Sequence, residues 1–212
     1  MSNDFPLPDS KDKLFENFNS DYRQNAMVAS GIDKLWLYSE AYKTAASKLY
    51  EQFDGSAFYA NMLVYPLVFL SRQFIELRLK ELIAGLNYTF EHDYKFPNGH
   101  SLLSLWHTYR NLVIQIGNNS APEKDILDNT EKLIREFDSI DPGSFSFRYP
   151  VDTKAERNPS LNMKNMDLGN FMSTMRKLYN FFDAQSEVIA VFIDYTDALI
   201  SEYESEVYSY YM

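Results

Sequence analysis

Apolar residues recur every three or four positions along most of the chain, separated by polar stretches that carry Gly, Pro, Asn and Asp, the pattern of amphipathic helices joined by loops. From Gly31 the series Ile32, Leu35, Trp36, Tyr42, Ala45, Ala46, Leu49, Tyr50, Phe53 predicts a helix closed at Asp54-Gly55. Ser56 to Leu86 is predicted as a second helix. Its first half is apolar nearly all round, which marks it as the central helix of a bundle, with a kink expected near Met62 to Pro66. Ser101 to Ile116 resumes helical spacing and stops at Gly117, and Pro122 opens another helix that presents Ile126, Leu127, Thr130, Leu133, Ile134 and Phe137 on one face. Ser139 to Met166 is a long polar loop around the alternating piece Phe145-Ser-Phe-Arg-Tyr-Pro150. Asp167 to about Glu206 is helical again, as one long helix or as two jointed near Asp183, and the aromatic, acidic tail beyond it is expected to dock onto a surface.

These elements predict an all-α, up-and-down bundle of five to six helices. Residues 1–28 carry no sustained period and are expected to be a flexible N-terminal arm, with a short helix near Lys11 to Phe18; residues 29–212 form a single helical domain. No apolar run approaches the roughly 20 residues of a membrane-spanning helix, and the N-terminus lacks the charged and apolar regions of a secretory signal. No membrane association and a cytoplasmic location are therefore expected. Asn87-Tyr-Thr and Asn118-Asn-Ser match the glycosylation pattern, which has no consequence in that location.

The chain has 212 residues and no Cys, which excludes disulfides, thiolate metal sites and cysteine nucleophiles. Its net charge of −10 argues against duplex DNA, which is held by broad positive fields. Seven of the acids fall between Asp183 and Met212, where there is no Lys or Arg, leaving only −3 for residues 1–182. A local basic site remains open around Arg148, Lys154, Arg157 and Lys164, opposed only by Asp152 and Glu156.

Three groups of residues are candidates for chemistry. Arg72, Glu76 and Lys80 are spaced by four on the central helix, so Glu76 can pair with both cations; the trio is either a structural charge ladder or a polar site lining a cleft. His100 stands just before a helix, where it can anchor the turn or serve as a general base. Arg148, followed by Tyr149, Pro150 and Asp152, can grip a carboxylate or phosphate, or tie the long loop to Glu76. Because a lone carboxylate on so apolar a helix is costly, an Arg148–Glu76 pair with Lys80 and His100 nearby is expected. His92, His100 and His107 do not have metal-ligand spacing, and phosphate-loop, dinucleotide-binding and nucleophile-elbow motifs are all absent, so neither a metal nor a cofactor is expected.

The order Arg72-Gln-Phe-Ile-Glu-Leu-Arg-Leu-Lys-Glu-Leu82, then His100-Ser-Leu-Leu-Ser-Leu-Trp106, then Phe147-Arg-Tyr-Pro-Val-Asp152 resembles the HEPN superfamily of helical bundles. The matching positions are Glu76, Lys80, His100, Arg148, Tyr149 and Pro150, within a correspondence of elements from about residue 56 to 200. The resemblance implies a homodimer in a bacterial defence, stress or toxin–antitoxin setting. The Arg-to-His motif of the family's ribonucleases is missing at all three histidines, so the expected function is a non-catalytic binding or interaction protein with a protein partner. The alternative is a metal-independent ribonuclease or nucleotide-handling enzyme, acting on RNA or a nucleotide, in which His100 is the acid/base and Arg148 holds a phosphate.

Overall fold

The computed structural model describes residues 7–16, 20–117, 120–152, 154 and 156–211, with the side chains of 210 and 211 left aside. The chain divides into two units, Met1–Ser30 and Gly31–Met212. In the first, the described residues form turns and one 3-10 turn at Tyr22–Gln24, capped by the Asp21 side chain. The short helix expected near Lys11 to Phe18 lies partly outside the described residues, and the described part, up to Glu16, is not helical.

The second unit is an all-α bundle of five helices among the described residues: α1 (Leu35–Glu51), α2 (Ala57–Glu91), α3 (Leu102–Val113), α4 (Lys124–Ile140) and α5 (Leu168–Tyr211). Gly55, at φ 83°, makes the turn between α1 and α2. Ser56 then caps α2 by accepting from the backbone N–H of Tyr59. The helix runs on past Leu86 to Glu91 and ends at His92, which adopts the left-handed conformation usual for a helix stop. Pro66 lies inside α2, which continues unbroken on both sides of it. Ser101 caps α3, and Pro122 lies just outside α4, whose first helical residue is Lys124.

α2 is central, packing against α1, α3 and α5, while α4 packs on α3. The core gathers Leu67, Phe74, Ile75, Leu79 and Ile83 of α2 around Trp106 and Tyr109 of α3, Ile134 of α4 and Phe182 of α5. Two polar clips fix the register: Tyr109 donates to the Gln185 side chain at 2.8 Å, and Arg110 bonds Glu131 at 2.6 Å. Gly85 lets α5 approach α2 closely, with Ile189 and Ile193 against it.

The central helix is buried in the half opposite to the one its apolarity suggests. Phe58, Tyr59, Met62 and Tyr65 are exposed, whereas most residues from Leu67 to Leu86 are buried, including Arg72, Glu76, Arg78 and Lys80. Apolarity all round a helix shows that it could be enclosed; enclosure itself depends on which neighbours reach it.

α5 is a single helix of 44 residues, about 66 Å long at 1.5 Å per residue. The joint considered near Asp183 does not occur. Tyr88, near the end of α2, donates to Asp197, and past that level Leu199, Tyr203 and Tyr208 of α5 are exposed. The tail thus continues the helix, with Val207 half-buried and Tyr208 exposed.

Candidate functional site

Arg72 is fully buried on α2, and its guanidinium is satisfied by its own helix and by two other segments of the fold. Nε donates to the backbone carbonyl of Asp141 at 3.0 Å, Nη1 to Glu76 Oε2 at 2.9 Å, and Nη2 to the carbonyls of His100 at 2.7 Å and Pro142 at 3.3 Å. The planar fork of donors suits such a junction, which a lysine could not serve. Glu76 also receives Lys80 Nζ at 3.1 Å and contacts His100 Nδ1 at 2.7 Å. Burial raises the Glu76 carboxyl, but hydrogen bonds from His100, Lys80 and Arg72 outweigh it and hold the pKa below the ordinary value. Lys80 further lies over the Phe96 ring at 5.1 Å. His100 itself is 72% exposed, so a buried carboxylate holds one ring nitrogen of a histidine that faces water.

The long loop after α4 joins this junction through Asp141 rather than Arg148. The buried Asp141 carboxylate accepts from the backbone N–H groups of Phe145 at 2.6 Å and Ser146 at 2.8 Å, shaping the loop's first turn. Arg148 makes no bond to Glu76. Its Nε donates to the Ser144 carbonyl, and its guanidinium lies over Phe69 and Tyr149, each centroid 5.7 Å away. The expected Arg148–Glu76 pair is thus replaced: Glu76 finds its cations, Arg72 and Lys80, on its own helix and a further polar contact at His100, and the Arg148 side chain is exposed. Tyr149 stacks on Phe145, and Asp152 turns back to accept from the backbone N–H of Lys154. Of the seven sequence candidates, Arg72, Glu76, Lys80 and His100 converge, whereas Arg148, Tyr149 and Asp152 lie apart on the loop.

A second buried charge cluster escaped the sequence. Arg78, fully buried on α2, bonds Glu81 at 2.8 Å and Asp183 at 3.3 Å and also reaches Glu40, while Lys43 bridges Asp183 at 2.7 Å and Glu40 at 3.1 Å. Burial raises the Glu81 pKa despite the nearby Arg78. The step from Arg78 to Glu81 is a visible i,i+3 signal, but Glu40 and Asp183 are 38 and 105 residues away from Arg78. Ser144, which accepts from Gln73 at 2.9 Å, is likewise visible only in three dimensions.

Among the described residues no group of three His, Asp or Glu is placed to hold a metal ion, and no helix is long and apolar enough to cross a membrane. Asn118 and Asn119 of the second glycosylation match lie outside the described residues. No protein-family model, curated protein or solved structure matches the chain.

Proposed function

We propose that the chain is a HEPN-like, non-catalytic interaction protein that works as a cytoplasmic homodimer, in the bacterial defence, stress or toxin–antitoxin setting that its sequence resemblance implies. The observation that carries this reading is the apolar ridge on α5. Val191, Tyr195, Leu199 and Tyr203 follow at steps of four, which places them along one side of the helix, and all are exposed. A row of large apolar side chains left in water is the usual mark of a surface that meets a partner. A second copy is the occupant that the resemblance implies.

The same segment supplies the acids Asp194, Asp197, Glu202, Glu204 and Glu206, so two copies meeting there repel in dilute salt. Sedimentation velocity over a range of protein concentrations, at low and high salt, tests the proposal. A dimer that tightens with salt and is lost in the Tyr195→Lys and Leu199→Lys variants is expected. A wild-type chain that stays monomeric under all these conditions would sink it.

One observation favours a second, enzymatic reading: the Glu76–His100 contact leaves the other ring nitrogen of a mostly exposed histidine without a partner among the described residues, the arrangement of a carboxylate-oriented acid/base. Against it, Arg148, the cation meant to hold a phosphate, makes its contacts elsewhere. Incubation with labelled RNA, with and without divalent metal, separates the two readings. Cleavage that disappears in His100→Ala would establish the enzyme.

A further inference from the structure

A cavity of about 500 Å³ lies between the start of α1 and the later turns of α2 and α5. Ser186 meets Glu81, Ile189 meets Gly85, and Tyr88 meets Asp197, so α2 and α5 run parallel and the cavity extends from the level of Glu81 to that of Ile193. Leu82, Gly85, Ile189 and Ile193 give it an apolar middle, and Trp36 and Tyr94, both exposed, add aromatic surface.

Three features of this cavity select a cation. First, Asp33, Glu81 and Glu187 line it, and among the described residues no Lys, Arg or His does. Asp33 is paired with Lys34, but Glu187 has no hydrogen bond or ion pair among the described residues. Second, Glu81 belongs to the buried Arg78 cluster, which holds three carboxylates, Glu40, Glu81 and Asp183, against two cations, Arg78 and Lys43. The cluster is one positive charge short, and Glu81 is its member that lines the cavity. Burial, with the Glu40 charge adding to it, holds the Glu81 carboxyl above its ordinary pKa even though Arg78 and Ser186 bond it. Its side chain keeps 20% of its surface exposed, so a guest can reach it. Third, the walls beside these acids are apolar and aromatic, so a cation entering here exchanges water for carboxylates and ring faces.

The three acids do not form a group able to hold a metal ion, and a small inorganic cation would leave the apolar middle of the cavity unused. We infer that the cavity binds a small organic amine as its ammonium ion, with the charged head against Glu187 and Glu81 and an apolar or aromatic body over Gly85 and Ile189, beside Trp36 and Tyr94. The inference stands apart from the self-association and from the enzymatic reading above, since neither the α5 ridge nor His100 lines this cavity.

Isothermal titration calorimetry on the full chain at neutral pH tests it, with phenethylamine, phenethyl alcohol, phenylacetate and methylammonium as probes. Phenethylamine is expected to bind about tenfold more tightly than phenethyl alcohol or methylammonium, because only it offers both charge and apolar body, and phenylacetate is expected not to bind. Glu187→Gln should weaken phenethylamine binding about tenfold and Trp36→Ala severalfold. Ala190→Trp, at an exposed residue that lines the cavity, should fill it and abolish binding, while Glu202→Gln, at an exposed acid of α5 outside the cavity, should leave binding unchanged. Circular dichroism on each variant checks that it is folded. A wild-type chain that binds no phenethylamine, or binds phenethyl alcohol as tightly, overturns the proposal. So does binding that is unchanged in Glu187→Gln, or that survives in a folded Ala190→Trp chain.

Discussion

Gly85 of α2 and Ile189 of α5 meet so closely that a Cβ built on the glycine would lie 2.8 Å from Ile189 Cγ2, and 3.2 Å from Ile193 Cδ1. In an isolated helix Gly→Ala stabilises by up to about 1 kcal/mol. Here the added methyl meets a branched methyl that cannot swing aside, so Gly85→Ala is expected to destabilise by about 1–3 kcal/mol. Combining it with Ile189→Ala, which removes the opposing methyl, should make the glycine substitution less costly than it is alone. Urea denaturation of the two single variants and the double variant measures the coupling.

Arg72 and Arg148 exchange the importance that their sequence contexts suggest. Arg72→Leu leaves Glu76 short of one cation and strips hydrogen bonds from three backbone carbonyls, so a loss of about 3–5 kcal/mol is expected. Arg72→Lys should recover only part of it. Arg148→Ala, at an exposed side chain with one hydrogen bond, should cost no more than about 1 kcal/mol. Chemical denaturation midpoints rank the three, and a larger loss at Arg148 than at Arg72 would contradict the structure.

Acid should act through two glutamates of opposite sign. The Glu76 pKa is depressed below the ordinary 4.5, so its contribution is present above that value and is lost as pH falls through the depressed one. Glu81 is raised by burial, so its contribution is present at low pH and is lost as pH rises through its elevated value. Glu76→Gln is therefore expected to flatten the fall of stability on acidification, and Glu81→Gln to steepen it. Urea midpoints from about pH 7 down to about pH 3 measure both slopes.

The all-α class was legible because the three-and-four periodicity of Leu102, Leu105, Trp106, Tyr109 and of Phe171, Met175, Leu178, Phe182 depends only on local geometry. The ladder of Arg72, Glu76 and Lys80 was legible for the same reason, and the structure gives both pairs. The partner brought from the long loop was not. Loop sequence reveals which residues have charge to offer, but Asp141 and Pro142 enter the junction chiefly through backbone carbonyls, which every residue carries. Burial along α2 was misjudged because the apolar turns around Phe58 and Met62 and the charged turns around Arg72 and Arg78 are told apart only by the packing of distant helices.

The Arg72 junction also bears on how the bundle comes apart. Its backbone partners lie 28, 69 and 70 residues along the chain, at the start of α3 and just past the end of α4. If the α3–α4 hairpin peeled away alone, Arg72 would lose its three backbone carbonyls at once and keep only Glu76. The hairpin should therefore open with the central helix in one cooperative unit, its slowest amide protons exchanging at the rate of global unfolding.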